Sequence, residues 1–166
     1  MLKLFDTCTG VGAGFPLASL QLGGFEIIGF SEIDEYCCGR LNKLYPTVNN
    51  FGNINEIGAL RKLIEQPEII TASPPCQPFS IQGKRLSAAD NRNCFPALLE
   101  IIEQYRPKYT CIENVTGLLN CPFTPGSDRT YFEHILKKLF RSGDDGEWRC
   151  MASGSFASPF DRKRLL

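Results

Sequence analysis

Residues 72–80 read Ala-Ser-Pro-Pro-Cys-Gln-Pro-Phe-Ser, and this stretch constrains the fold more than any other. The apolar run before it, residues 69–72, predicts a short buried strand. Pro74 and Pro75 end that strand, because proline lacks the N–H of a strand ladder and biases its predecessor to extended geometry. Cys76 is therefore predicted at the carboxyl edge of a sheet, where open α/β sheets bind ligands. The alternative is a cysteine that only fills the core beside a proline-rich turn; three surrounding prolines favour a functional thiol.

The size and composition indicate one soluble globular domain. The chain has 166 residues, 43% of them apolar and 22% charged. Its 18 basic and 18 acidic residues give a net charge of zero, so the chain lacks the excess positive charge expected of a protein that binds nucleic acid without a partner. No apolar run reaches membrane-spanning length, and the first residues predict a strand rather than a signal peptide. Eight scattered cysteines with one histidine favour a reduced, cytoplasmic protein over a zinc protein.

The first quarter of the chain reads as strand, glycine turn, helix and strand. The strands are predicted over residues 3–7 and 25–31, with a helix over residues 15–22 between them. Gly10 and Gly12 allow the backbone to turn tightly and approach a ligand beside the helix N-terminus. Glu32 follows the second strand, where an acid can accept hydrogen bonds from both ribose hydroxyls of a nucleoside. A glycine turn alone can be purely structural, but the position of Glu32 favours a nucleoside site.

The alternation of predicted strands and helices continues to the end of the chain. Helices are predicted over residues 35–44, 57–66, 95–105 and 131–140, and strands near residues 51–54 and over 69–72, 109–112 and 148–152. Polar residues 81–93 predict a mobile loop and a lid candidate, in which Lys84 and Arg85 contact phosphate or are simply solvated. Glu113 ends a strand at the sheet edge predicted for Cys76, unless it is only solvated or caps the next helix. His134 is predicted to be a surface or packing residue.

Five motifs follow one another along the chain: Gly10-x-Gly12, Glu32, Pro75-Cys76-Gln77, Glu113-Asn114-Val115 and Arg162-x-Arg164. In order and approximate spacing they resemble the motifs of the cytosine-C5 DNA methyltransferases. Residues 74–85, with Asp90 and Arg92 beyond them, look like the nucleophile loop of that family. The resemblance spans essentially the whole chain. It implies a doubly wound, Rossmann-like α/β fold, S-adenosylmethionine as the cofactor, and a flipped-out cytosine in double-stranded DNA as the substrate.

The resemblance also assigns catalytic roles. Cytosine C5 is a poor nucleophile, so a thiolate, here Cys76, first adds to C6 and pushes electron density toward C5. Glu113 would stabilise the charge that develops on N3. Arg162 and Arg164 would hold the base and its carbonyl, for which planar guanidinium groups are suited. The base must leave the duplex for this chemistry.

The cofactor contacts implied by the resemblance involve two departures from the family pattern. Cys8 stands where the family has a phenylalanine, so stacking on that ring is lost. Asn53 stands where the family has an acid, and its carbonyl can still accept the bond from the adenine amino group. The full implied set is Cys8, Gly10, Gly12, Glu32, Ile33, Asn53, Ile54 and Pro75, with no metal.

The resemblance predicts that the chain lacks part of the enzyme. Residues 1–166 are predicted to form a single catalytic domain that stops at the Arg-x-Arg motif, without a target-recognition region and with an incomplete sheet edge. We therefore expect either one half of a split enzyme that needs a second chain or a truncated chain. Three alternatives stay open: an RNA cytosine-C5 methyltransferase, an inactive chain that only binds cofactor or a partner, and a cysteine hydrolase with His134 as its base.

Overall fold

The computed structural model describes residues 1–60, 65–80, 86–160 and 162–166. Predictions for Lys84 and Arg85 lie outside these described residues, as does part of the helix predicted over residues 57–66. The chain forms two compact units. The first comprises Met1–Ser73 and Pro96–Ile112, and the second Pro74–Phe95 and Glu113–Leu166. Among the described residues, no helix is both long and apolar enough to cross a membrane.

A parallel four-stranded sheet forms the centre of the first unit. Its strands are β1 (Leu2–Thr7), β2 (Phe25–Ser31), β3 (Ile69–Ala72) and β4 (Tyr109–Ile112), in the order β2-β1-β3-β4. Each strand runs parallel to its neighbours. The chain winds outward from β1 to β2 and then returns to the other side of β1, so the winding direction reverses there. This reversal confirms the predicted doubly wound α/β class.

Burial explains the apolar character of β3, the strand between β1 and β4. All four residues of β3 are buried between β1 and β4, as expected for the interior of a parallel sheet. The helices of this unit are α1 (Phe15–Leu22), α2 (Glu35–Leu44) and most of α3 (Phe95–Tyr105). Helix α2 begins where the Asp34 side chain accepts a hydrogen bond from the Cys37 N–H at 2.9 Å. The predicted bounds of α1, α2, α3, β2, β3 and β4 are confirmed.

The second unit contains a small antiparallel sheet and an aromatic core. The strands β5 (Asn114–Val115), β6 (Cys150–Ala152) and β7 (Lys163–Leu165) lie in the order β5-β7-β6. Helix α4 (Tyr131–Arg141) opens with a capping box between Thr130 and Glu133. Its Tyr131 packs against Phe79, Phe95 and Phe123. His134 stacks on the same core, 4.7 Å from the Phe123 ring, which confirms its packing role.

Two predictions for the middle of the chain were wrong. Residues 51–54 form no strand; a single parallel bridge joins Asn50 to Phe30, and Gly52 then turns the backbone at φ +73°. In place of an α-helix from residue 57, a 3-10 helix spans Ile54–Leu60. It starts early because the Asn53 side chain accepts the Asn55 N–H at 3.1 Å, as an N-cap does.

Part of the predicted polar loop is ordered by tertiary contacts. Of residues 81–93, the described ones include a 3-10 helix at Ser87–Ala89, and both Ser87 and Asp90 are buried. Ser87 donates its N–H to the Pro78 carbonyl at 3.1 Å. Composition alone does not reveal this contact, because it joins two residues that are not neighbours in the sequence.

Smaller differences occur at the ends of three elements, of which β1 begins at Leu2, one residue before its predicted start. Helix α4 extends one residue beyond its predicted end, and the strand predicted over residues 148–152 begins only at Cys150. The last strand of the chain is β7, which lies between β5 and β6.

Candidate active site

A tight left-handed turn follows β1. Cys8, Gly10 and Gly12 have φ values of +53°, +60° and +78°. The turn is tied to the end of β2, because the Cys8 N–H donates to the Ser31 carbonyl at 2.8 Å. A Cβ placed on Gly10 would meet nothing within 4 Å, so there is open space beside this main-chain segment. The turn therefore offers a cradle for a ligand at the carboxyl end of β1.

Gly12 is required by packing as well as by its backbone angle. A Cβ at this position would lie 2.7 Å from Tyr45 Cε2 and 2.9 Å from Leu41 Cδ2. The Tyr45 hydroxyl also donates to the Gly12 carbonyl at 2.8 Å. The sequence left open whether these glycines serve only the structure of the turn. At Gly12 close packing requires a glycine, whereas Gly10 faces open space.

The Glu32 carboxylate lies against the glycine turn. Its Oε2 accepts the Gly10 N–H at 2.6 Å, and its Oε1 accepts the N–H groups of Ile33 and Asp34 at 2.8 and 2.9 Å. A carboxylate offers about four acceptor positions, so this bracing leaves roughly one for a ligand. Glu32 therefore joins the turn after β1 to the start of α2.

Asn50 holds the backbone of Glu32, and sequence reasoning missed it. Its Oδ1 accepts the Glu32 N–H and its Nδ2 donates to the Glu32 carbonyl, both at 3.0 Å. The partners lie 18 residues apart, so no local pattern marks this contact. Beyond it, Ser31 Oγ donates to the Gly52 carbonyl at 2.7 Å, which fixes the segment that leads into Asn53 and the buried Ile54.

Asn53 is engaged within its own turn. Its Oδ1 accepts both the main-chain N–H and the side-chain amide of Asn55 at 3.1 Å. Its Nδ2 donates to Glu56 at 3.3 Å. An adenine amino group would therefore have to share this carbonyl oxygen with the cap of the 3-10 helix.

Asp6 is a second carboxyl group near the turn that the sequence did not single out. It is 2% exposed, and burial raises its pKa to about 7. The hydroxyl groups of Thr71 and Thr9 oppose this shift in pKa, while the charge of Glu32 adds to it. The Thr71 hydroxyl donates to Asp6 Oδ1.

The turn that carries Cys76 belongs to the second unit and is fixed on both sides of this residue. The Cys76 carbonyl accepts the N–H groups of Phe79 and Ser80 at 3.0 and 2.9 Å, which closes a tight turn. Before the turn, Asn114 Nδ2 donates to the Pro74 carbonyl at 3.0 Å. After it, Phe79 is fully buried in the aromatic core. The sequence places Pro75 and Cys76 between these two anchors.

Glu113 and Arg164 form an ion pair. Arg164 Nε lies 2.6 Å from Glu113 Oε1, and both side chains are mostly buried, 25% and 29% exposed. Arg164 lies on β7 opposite Val115 of β5, which explains how the chain brings the two motifs together. Arg162 lies just before β7, is exposed, and is held by its main-chain N–H, which donates to Ser153 Oγ at 3.0 Å.

The predicted site residues divide between the two units. The four catalytic candidates, with Pro75, lie in the second unit, and the other cofactor candidates lie in the first. Asn114, whose side chain holds the Pro74 carbonyl, lies in the Glu113-Asn114-Val115 motif but was not predicted as a site residue. Within the described ranges, no group of three or more His, Cys, Asp or Glu side chains is placed to hold a metal ion.

Comparisons with known proteins identify the family of the chain. A family model described as C-5 cytosine-specific DNA methylase matches residues 1–166. The type II methyltransferase M.AplI of Arthrospira platensis is 29% identical over 100% of this chain and 44% of its own length. The orphan methyltransferase M.SPRI of Bacillus phage SPR is 32% identical over 99% of this chain and 36% of its own. The chain thus spans less than half the length of these relatives.

Solved structures share the fold. A mutant of Spodoptera frugiperda DNMT2 superposes with a TM-score of 0.76 at 24% identity, covering 99% of this chain and 48% of that one. The Dnmt2 methyltransferase of S. pombe gives a TM-score of 0.74 at 19% identity, covering 99% and 49%. At these identities the likeness concerns the fold alone, and it confirms an α/β architecture with a parallel central sheet.

Proposed function

Because this chain belongs to the C-5 cytosine-specific DNA methylase family, we propose that it carries the cofactor-binding and nucleophile parts of a DNA cytosine-C5 methyltransferase. One observation carries the proposal: the second unit joins three motifs. Asn114 ties the Cys76 loop to the Glu-Asn-Val motif, and Glu113 of that motif pairs with Arg164. A nucleophile, a carboxyl group and a guanidinium are the groups that addition to cytosine requires.

We infer the following division of labour on a flipped-out cytosine. The Cys76 thiolate forms a bond to C6, and the electron pair of the C5–C6 double bond moves toward C5 and N3. Glu113 stabilises the pyrimidine at N3, and Arg164 fixes the Glu113 carboxyl group. Arg162 and Arg164 hold the base. After C5 is methylated and loses its proton, the bond from Cys76 to C6 breaks and the electron pair returns to sulfur.

The family depends on S-adenosylmethionine, which supplies an electrophilic methyl group when bound. The first unit fits a nucleoside. Gly10 leaves open space at its Cα, and the Glu32 carboxylate lies beside it with unused acceptor capacity. We propose that this turn, with Cys8, Gly12, Ile33, Asn53 and Ile54, holds the cofactor.

We further propose that activity requires the region that accounts for the remaining length of the relatives. Such a region, in further sequence or in a second chain, would contain the residues that read the target. Balanced charge, 18 basic and 18 acidic residues, supports this, since DNA binding draws on basic surface. A cytoplasmic location would keep the Cys76 thiol reduced.

The test is methyl transfer from radiolabelled S-adenosylmethionine, with any chain that activity needs supplied. The substrates are duplex DNA of random sequence and, separately, tRNA. The unmodified protein and a Cys94→Ala control from the same unit should label DNA, and Cys76→Ala should lose about a hundredfold or more of that activity. Labelling of tRNA alone would contradict the DNA assignment, and full activity of Cys76→Ala would contradict the mechanism.

A further inference from the structure

Asn50 uses every hydrogen-bonding position of its side chain. Its Oδ1 accepts the main-chain N–H groups of Glu32 and Gly52 at 3.0 and 3.1 Å. Its Nδ2 donates to the Glu32 carbonyl at 3.0 Å and to Cys38 Sγ at 3.2 Å. A side-chain amide has two donors and can accept two hydrogen bonds, so these contacts satisfy it completely. One side chain thus joins three segments of the first unit, namely the end of β2, helix α2 and the turn at Gly52.

The main chain determines which way this amide is turned. A main-chain N–H can only donate and a carbonyl can only accept, so Oδ1 faces the two N–H groups and Nδ2 faces the Glu32 carbonyl. An aspartate has nearly the same shape, but its carboxylate has acceptors alone. Position 50 therefore requires an amide rather than an acid of the same size if all four contacts are to form.

Gly52 is held at both of its polar main-chain groups. Its N–H donates to Asn50 Oδ1 at 3.1 Å, and its carbonyl accepts Ser31 Oγ at 2.7 Å. The next two residues are Asn53 and Ile54, which are proposed to hold the adenine. The contacts made by Asn50 and by Gly52 therefore set the distance between the end of β2, where Glu32 lies, and the adenine segment.

We propose that Asn50 is a positioning residue of the cofactor site, which holds the ribose acceptor Glu32 and, through Gly52, the adenine segment in one fixed geometry. The inference rests on the proposed nucleoside role of Glu32. Asn50 acts through these residues rather than by contact with the ligand, because its own four positions are already used. Two segments that are fixed before the nucleoside arrives need not be ordered when it binds, which increases affinity.

A purely structural role for Asn50 gives a different expectation. Its loss would then lower the stability of the fold without changing how folded protein distinguishes one nucleoside from another. If Asn50 instead positions Glu32, the preference of the site for ribose hydroxyl groups depends on Asn50. The ratio of two binding affinities therefore separates the two roles, and it can be measured without DNA or turnover.

The experiment measures, by calorimetry, the binding of S-adenosylhomocysteine and of an analogue that lacks both ribose hydroxyls, with any chain that binding needs supplied. The unmodified protein should prefer the hydroxylated form by about tenfold, the effect of one hydrogen bond to a charged group. Asn50→Ala should lose most of this preference. Asn50→Asp, which keeps the acceptor but not the donors, should retain part of it. Asn49→Ala, a change at the exposed neighbouring asparagine, should retain all of it.

Amide hydrogen exchange, followed by NMR without any ligand, supplies a second measurement. The N–H groups of Glu32 and Gly52 should exchange about fivefold faster in Asn50→Ala, the effect of one lost hydrogen bond, and at the unmodified rate in Asn49→Ala. Thermal melting establishes that each variant is folded.

Two results would overturn the inference while leaving the nucleoside site in place. One is a full preference for the hydroxylated ligand in folded Asn50→Ala, and the other is unchanged exchange at Glu32 and Gly52. Failure of the proposed function looks different, since the unmodified protein itself would then show no preference between the two ligands. That result would contradict the nucleoside role of Glu32 and, with it, the role of Asn50.

Discussion

The two carboxylate oxygen atoms of Glu32 brace the glycine turn and, in our proposal, also bind the cofactor. Glu32 braces the glycine turn against the start of α2 by accepting three main-chain N–H groups. As the proposed ribose acceptor, it must also bind a hydroxyl group with the capacity that remains. A residue in this position keeps the cradle in its binding geometry before the ligand arrives, which reduces the cost of ordering on binding.

Replacing Glu32 with alanine should therefore weaken S-adenosylmethionine binding by about 1–3 kcal/mol, because a hydroxyl hydrogen bond to a carboxylate and the bracing of the turn are lost. Isothermal titration calorimetry measures this on protein that binds the cofactor. Glu35→Ala is the matched control, since it removes an exposed carboxylate three residues further along. Unchanged affinity in Glu32→Ala would contradict the proposed nucleoside site.

The buried Asp6 gives the protein a predictable dependence on pH. Its pKa of about 7 in the folded protein lies above the ordinary value of 3.8, because burial disfavours the carboxylate. The folded state therefore holds a proton that the unfolded state releases between these two values. The stability contributed by that proton is fully present below about pH 4 and is lost as the pH rises through about 7.

Asp6→Asn should remove this dependence, since an amide cannot titrate. Between about pH 5 and 8, the melting temperature of the unmodified protein should fall relative to that of Asp6→Asn. Asp128→Asn, a change at an exposed carboxyl group, serves as the control and should follow the unmodified protein. A constant difference between the unmodified protein and Asp6→Asn across this range would show that Asp6 does not hold the proton.

At the level of elements, the turn between β1 and α1 contains two glycines with different constraints. Both adopt left-handed angles, but only Gly12 has side chains pressed against its Cα. Gly10→Ala should cost about 1 kcal/mol for the left-handed conformation. Gly12→Ala should cost about 3 kcal/mol, because Tyr45 and Leu41 must also move. Urea denaturation measures both, and equal costs would contradict the packing role of Gly12.

The elements that the sequence predicted correctly share a physical cause. Strand β3 and helix α3 are apolar runs that end near a proline, Pro74 after the strand and Pro107 after the helix. Helix α2 carries its own N-cap at Asp34, and α1 stops at Gly23. Local chemistry decides where such elements begin and end, so a sequence alone is sufficient to place them.

The elements that were missed depend on contacts between distant residues. A strand was predicted near residues 51–54. The structure has instead a single bridge at Asn50 and side-chain hydrogen bonds from Asn50 to the Glu32 main chain. The segment after the nucleophile loop is polar, and its order comes from Asp90 bound to Arg92 and from Ser87 bound to Pro78. No periodicity marks these pairs.

The site residues show the same difference between local signals and distant contacts. The sequence named Cys76, Glu113 and Arg164, because their residue types and motifs match a chemistry. It gave no role to Asn114 or Phe79, which hold the Cys76 loop through a buried amide and a buried ring. Asp6 was missed as well, since only burial distinguishes it from any other aspartate. Supporting residues are recognised from their surroundings rather than from their type.

At the scale of the whole molecule, the proposed tasks follow the two compact units. The first carries the glycine turn and Glu32, and the second carries Cys76 with Glu113 and Arg164. Two relatives match this chain along 100% and 99% of its length, but the match covers only 44% and 36% of their own length. Target recognition is therefore assigned, in our proposal, to a region beyond the part shared with them.

The most direct test of the central claim is covalent trapping of Cys76. Duplex DNA of random sequence containing 5-fluorocytosine is incubated with S-adenosylmethionine and the protein, together with any chain that activity needs. Fluorine at C5 cannot leave as a proton does, so the enzyme should remain bonded to C6. Mass spectrometry should then find the DNA adduct on the tryptic peptide of residues 63–84, and Cys76→Ala should form none. An adduct on another cysteine, or an equal adduct with Cys76→Ala, would contradict the account.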